Sequence, residues 1–224
     1  MTLLPLALLA AETVVVGTLA DPVSLDPHRA TDLVSAAIIT NVCDPLVRYR
    51  PDGSRAEAAL ATTWATMDAR TWTFTLRQGV AFHDGTPLDA DAVVANLEDL
   101  RRQQGFPGHA RRAGPYVVSI TLDRPNAALL ATLSQPFFTL QSPRELKAKS
   151  GRPVGTGPFR LVSARPGEIQ LEPNPAHWGG APRLQRLVFR RYASTEALMR
   201  ALLAAYDKTG LVELGQGLVG LGWR

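Results

Sequence analysis

The stretch "TWTFTLRQGVAFHDGTPLDADAVV", residues 71–94, changes its periodicity halfway along and constrains the fold more than any other part of the chain. In "TWTFTL", Trp72, Phe74 and Leu76 fall on one side and Thr71, Thr73 and Thr75 on the other. That period of two is what a strand needs to bury one face. "HDGT" then turns the chain, because Asp-Gly favours a positive φ. Asp89 is placed to cap a helix and Asp91 to sit at the positive end of its dipole. Val93, Leu97 and Leu100 follow at i, i+4 and i+7, the apolar stripe of an amphipathic helix. A histidine and three aspartates therefore crowd between His83 and Asp91, but Asp84, Asp89 and Asp91 each have a turn or capping duty. Architecture is a fuller account of them than an active site or a metal site.

The rest of the chain keeps mixing the two periods. "ETVVVGTLADP" reads as a short buried strand ended at Pro22, and Leu33 to Val42 as a helix packed on it. "PLVRYRPDGSR" is an apolar run leaving through a Pro-Asp-Gly turn, in which proline presets φ and glycine supplies a positive one. Residues 101–115, "RRQQGFPGHARRAGP", read as a loop. "YVVSITLD" alternates again with Val118, Ile120 and Leu122 on one face. A helix is expected from Asn126 to Leu133, a strand near "FFTLQ", and a hairpin through "GTGPFRLVSARPGEIQLEPN" closed by "RPGE". "RLQRLVFRRY" is a further strand, and "STEALMRALLAA" a helix capped by Ser194 or Thr195. This order predicts an α+β fold, or mixed α/β sheet, with hairpins and flanking helices.

Composition excludes several classes. The 224 residues are 46% hydrophobic and 20% charged, enough for a real core and unlike a disordered chain. The net charge of +4 is spread thinly, with no run of cations longer than a pair, so no nucleic-acid partner is expected. One cysteine, Cys43, permits neither an intrachain disulfide nor a cysteine-based zinc cage. Within "AAIITNVCDPL" it reads as a buried, inert thiol. The four histidines are scattered and form no zincin-like site, so no metal and no cofactor is expected. Residues 155–159, "GTGPF", lack the Lys-Ser/Thr and the helix of a phosphate loop. No "GxSxG" elbow supports a catalytic serine, so no catalytic residue is assigned. Asp26 and His28 in "SLDPH" are candidates for touching a ligand or metal, with loop bracing or a solvated ring as the plainer alternative. Residues 1–11, "MTLLPLALLAA", resemble the apolar core of a secretory signal without its positive start, and are too short to span a bilayer.

Five stretches in order carry a family resemblance: "SLDPHRATD", "DPLVRYRPDG", "LATTWATMDARTWTFTLRQGVAFHDGTPLDADAVV", "VGTGPFRLV" and "NPAHWGGAPRLQRLVFRRY". They resemble the family 5 extracellular solute-binding proteins of ABC importers, the peptide and nickel type. The likeness runs from about Val14 to Ala204. It implies part of lobe I of a type II periplasmic-binding-protein clamshell over residues 12–204, with the "FHDG" stretch as scaffold. It also implies a periplasmic or extracytoplasmic protein that hands a small solute, a peptide or metal chelate, to an ABC permease. Family members are about twice as long. The chain is therefore expected to be an incomplete copy with weak or no ligand binding, and exposed sheet edges are expected to favour self-association. The alternative is a stand-alone module docking on a permease or on a separate lobe II chain. Ligand contacts carry over only to the loop after the first strand, at Leu25, Asp26 and His28, and to the region of His109 and Arg111.

Residues 205–224 depart from the family. They resemble the start of the bifunctional purine-biosynthesis formyltransferase and IMP cyclohydrolase, and read as a foreign or frameshifted tail. Its leucines Leu211, Leu214, Leu218 and Leu221 share a helical face, but Gly215, Gly217, Gly220 and Gly222 make the helix poor, at up to about 1 kcal/mol each. No purine chemistry is expected from so short a stretch.

Overall fold

The computed structural model describes residues 13–209. The signal-like segment 1–11 and the leucine-bearing tail from residue 210 onward lie outside the described residues. The order is β1 (Thr13–Thr18), α1 (Leu33–Val42), β2 (Val47–Tyr49), β3 (Ala56–Ala58), β4 (Ala61–Thr66), β5 (Thr71–Leu76), α2 (Ala90–Gln104), β6 (Gly108–Gly114), β7 (Val117–Leu122), α3 (Leu129–Leu133), α4 (Pro143–Ala148), β8 (Phe159–Arg165), β9 (Glu168–Pro173), β10 (Arg186–Arg191) and α5 (Thr195–Thr209). The α+β class expected from the sequence is the class observed.

Two cores are nested along the chain. The first holds Ile38, Ile39, Val42 and Cys43 of α1 and its cap together with Phe159, Ile169, Leu171, Leu187 and Phe189. These pack α1 on a sheet of order β1-β10-β9-β8, in which β1 and β10 are parallel and the rest antiparallel. The second core runs from Leu46 to Leu140 and packs α2 on an antiparallel sheet of order β4-β5-β7-β6. The chain leaves the first core after Cys43, builds the second, and returns at Phe159.

The period-switching stretch folds as its residues dictate. Along β5 the threonines are exposed, while Trp72, Phe74 and Leu76 are buried. Asp89 caps α2, its Oδ1 accepting from the Ala92 amide at 2.8 Å. Gly105, at φ +68°, stops the helix in a conformation that glycine adopts without strain. Val93, Leu97 and Leu100 are all buried.

Four expectations are corrected. β1 is not buried: within the described sheet it is an edge strand, with Val14 36% and Val15 44% exposed. The expected loop 101–115 instead holds the end of α2 and the strand β6, paired with β7 from Gly108 to Gly114. An edge strand with an exposed face needs no apolar alternation, and "GHARRAG" shows none. The expected helix from Asn126 begins only at Leu129, because the Asn126 side chain accepts from the Ala128 amide and holds a turn there. "FFTLQ" joins no sheet. Pro136–Phe138 form a 3-10 turn, and the extended residues after it bond to loops and to a side chain.

Ser194 caps α5 by accepting from the Ala197 amide. That helix runs past Ala204 to Thr209, so no break in secondary structure marks the expected boundary at 204/205.

Candidate functional site

The residues that look most like chemistry in the sequence are the ones that fasten the two cores together. The His83 amide donates to Gly155 O at 2.8 Å, and the ring Nε2 donates to Gly157 O at 3.0 Å. Gly155 and Gly157 lie so close to the end of α1 that a Cβ at residue 155 would sit 2.1 Å from Val42 O. Beside them, the buried Asp44 carboxylate accepts from Trp178 Nε1 at 2.8 Å and from Thr156 Oγ1 at 3.0 Å. His177 Nε2 stands 3.6 Å from the same oxygen, and the Arg48 and Arg77 guanidiniums lie over the Trp178 ring. Burial alone would raise the Asp44 carboxyl; the His177 and Trp178 rings and the Arg48 charge hold it below its ordinary value. Burial lowers the His83 imidazole, whose Nδ1 is buried without a partner. Asp84 accepts from the Thr86 amide and from Ser142 Oγ. "HDG", "GTG" and the Asn-x-x-x-Trp element thus form one seam, and each glycine and carboxylate in it has a packing or bonding duty. Cys43 lies against the seam as a buried free thiol, pushed well up by burial and by the charges of Asp44 and Asp26.

A different region leaves polar groups without partners. The loop between β1 and α1 passes the C-terminal end of α2 and the 3-10 turn. Between them lies an open depression of about 550 Å³, lined by His28, Arg29, Ala30, Thr31, Gln103, Gln104 and Phe137. A narrower crevice adjoins it, sharing Arg29 and Gln103 and adding Asp26, Asp99, Gln141 and Lys149. The loop is held rigidly. His28 is fully buried at its ring, with Nδ1 2.9 Å from Asp99 Oδ2 and Nε2 3.2 Å from Thr139 O. Both ring nitrogens are thus engaged by neighbouring oxygens, which fixes the ring's orientation. Burial would raise the Asp99 carboxyl, but His28 and Arg102 hold it below its ordinary value. Asp26 Oδ1 accepts from the His28 amide and from Gln141 Nε2. Gln104 Nε2 donates to His28 O at 3.1 Å. At the α1 end, the Asp32 side chain caps the helix and accepts from the Val23 amide.

The five sequence candidates separate accordingly. Leu25 packs on the first core and anchors the loop. Asp26 lines the crevice, and His28 braces the depression from beneath, so of the two plainer alternatives the bracing role is the one seen and the solvated ring is not. His109 and Arg111 lie elsewhere, on β6. His109 is exposed and contacts Arg101 Nη1 at 2.9 Å and Glu98 at 3.8 Å, on the side of α2 turned away from Asp99 and His28. The groups that the sequence reading missed are Arg29, Gln103, Gln104 and Asn96. Buried Asn96 bonds Gln141 through both its amide nitrogen and its oxygen, fixing the extended segment behind the crevice. Its signal was legible: a polar residue interrupting the apolar stripe of Val93, Leu97 and Leu100.

Among the described residues, no group of three or more His, Cys, Asp or Glu side chains is placed to hold a metal ion. None of their helices is long and apolar enough to cross a membrane.

Comparison with known proteins places the fold among the solute-binding proteins. Residues 55–206 match the family described as bacterial extracellular solute-binding proteins, family 5 middle. The chain belongs to that family. It is 32% identical over 198 residues to a probable D,D-dipeptide-binding periplasmic protein, DdpA, of Escherichia coli, covering 79% of this chain and 38% of that protein. It is 33% identical over 199 residues to the glutathione-binding protein GsiB of Salmonella paratyphi A, covering 81% and 38%. The structure of the periplasmic binding protein DppA from Helicobacter pylori, in complex with the peptide STSA, superposes with a TM-score of 0.77 at 26% identity, covering 86% of this chain and 45% of that one. The chain therefore spans about two fifths of the length of the curated relatives it matches.

Proposed function

We propose that this chain supplies one wall of the solute site of an ABC importer's binding protein, exported from the cytoplasm, and serves the uptake of peptides or related small solutes such as metal chelates through a membrane permease. The observation that carries this reading is the open depression between the 26–31 loop, the end of α2 and Phe137. It has a braced floor, unpartnered polar groups and an aromatic side, within a chain of this family. Residues 12–204 act as lobe I, with the second core as its inserted subdomain. A clamshell gains affinity because its closed state adds contacts from the opposing lobe, and a ligand shifts closure only by its preference for that state. A single wall therefore binds weakly. The direct test is an NMR titration of the 15N-labelled chain with dialanine. Saturable movement of the Thr31, Gln103 and Gln104 amides supports the reading, whereas movement confined to other residues removes it.

One observation favours a second reading, a module that pairs with a permease, a separate lobe II chain or another copy of itself. Among the described residues β1 is an edge strand that carries no charge, proline or bulge, while β8 at the opposite edge of its sheet has a register shift at Val162 and the cations Arg160 and Arg165. Such devices blunt an edge, and β1 lacks them. Sedimentation of the purified chain separates the two: a monomer at all concentrations speaks for the wall alone.

A further inference from the structure

We infer that Arg29 determines the specificity of this face by receiving a carboxylate of the bound solute, with the Phe137 ring against the apolar group beside it; this rests on the reading of the depression as a solute wall. Arg29 and Gln103 line both the depression and the crevice. The Arg29 side chain is half exposed, and among the described residues its ion pair is with Asp26, whose Oδ2 stands 3.5 Å from the guanidinium Nε. Asp26 does not cap the fork. Its Oδ1 is held by the His28 amide and by Gln141 Nε2, at 3.0 and 2.9 Å, which fixes the carboxylate behind Nε. The two terminal nitrogens keep their donors unclaimed by any described side chain. A planar fork presented in this way matches a carboxylate bidentately.

The surroundings agree in sign and shape. The other carboxylate next to the site, Asp99, is already engaged by His28 and Arg102. Glu145 in the crevice accepts from Ser150 Oγ, and Lys149 lines the same crevice. The face therefore offers the Arg29 donors where a solute arrives, beside carboxylates that are already bonded. Gln103 and Thr31 add an exposed amide and hydroxyl, neither bonded to another described side chain. Phe137 is half-buried and supplies an apolar side. The solute class this selects is a small organic acid, or a peptide with a free C-terminus, that carries an apolar group close to its carboxylate.

The test compares dialanine with dialanine amide on the full chain, read by the same amide resonances and by the Arg29 Nε–H signal. Dialanine should shift the Arg29 signal and bind about tenfold tighter than its amide, a factor reasonable for a charge-assisted bidentate pair. Arg29→Gln should erase that difference, and Arg29→Lys should restore part of it. Thermal melting of both variants should match the parent and so show intact folds. Equal affinity of the two probes for the parent chain, or a preference for dialanine that survives in Arg29→Gln, overturns the role of Arg29 while leaving the wall in place. Binding of neither probe at this face overturns the wall, and Arg29 with it.

Discussion

The seam between the two cores and the face beside Arg29 have similar compositions and opposite bookkeeping. Each brings together histidine, carboxylate, arginine and an aromatic ring. In the seam the carboxylate and the glycine carbonyls each have a partner: Asp44 bonds Trp178 and Thr156, and His83 bonds Gly155 and Gly157. At the face, donors on Arg29, Gln103 and Thr31 remain unspent above a floor in which His28, Asp26 and Gln141 are committed. Burial of a polar group demands a partner, so a buried cluster in which all but His83 Nδ1 and His177 Nε2 are bonded reads as structure. Exposed, fixed donors around a concavity read as recognition. Counting partners, rather than residue types, is what separates the two regions.

The largest break in that comparison comes from the seam. Gly155→Ala places a methyl against Val42 O and the Cys43 backbone, which cannot yield without moving the end of α1. The expected loss is about 3 kcal/mol, or a fall in Tm of about 6–12 °C in a domain of this size. A variant melting within a degree or two of the parent would show that the two cores are joined elsewhere. His28→Ala comes next, at about 2 kcal/mol, because it empties a buried site and strips Asp99 of a partner. This places His28 energetically with the seam although it lies under the face. Chemical denaturation of the two proteins measures it, and a cost below about 0.5 kcal/mol would return His28 to the candidates for ligand contact.

A smaller effect depends on pH. Burial holds His83 below its ordinary value of 6.5, so the folded state favours the neutral ring more than the unfolded state does. Stability from this group is whole above pH 6.5 and declines as pH falls from there toward the lower folded value. Asp44, held below its ordinary 3.8, loses its contribution only at more acid pH. The two windows do not coincide. His83→Gln keeps a donor for Gly157 O but does not titrate, so the stability gap between parent and variant should narrow between pH 7 and 5.5. Parallel curves across that interval would dismiss His83 as the source of acid sensitivity.

Much of the second core was legible and little of the face was. "TWTFTL" and the Val93, Leu97, Leu100 stripe spell out β5 and α2 because each is amphipathic with one buried side. Asp89 and "HDGT" follow local rules that need no tertiary knowledge. The loop reading of 101–115 failed where those rules stop: Gly105 was a genuine helix stop, but an edge strand such as β6 carries almost no pattern. The same holds for β1, whose valines suggest burial when read without the sheet order. The face is assembled from residues 26–31, 103–104 and 137, and nothing local connects positions more than a hundred residues apart. Asp26 and His28 were found because a proline-rich loop with a histidine invites attention, whereas Arg29 beside them carries no motif. Its importance lies in having a free fork after its neighbours are satisfied, which only three-dimensional partners decide.

The smallest effect gives the sharpest form of the comparison. His109 and Arg111 were chosen from sequence for the same reason as His28: polar residues in a stretch read as a loop near a cleft. The structure puts them on β6, with His109 more than half exposed and paired to Arg101 and Glu98 across the surface of α2. Exposed pairs of this kind contribute little, so His109→Ala and Arg111→Ala should each change stability by less than about 0.5 kcal/mol. They should also leave the dialanine titration unchanged, because α2 stands between β6 and the loop that carries Arg29. A loss of binding in either variant with melting unaltered would move the solute wall to the opposite side of α2. The unspent donors around Arg29 would then be ordinary surface, and the distinction between committed and free polar groups would no longer locate recognition in this protein.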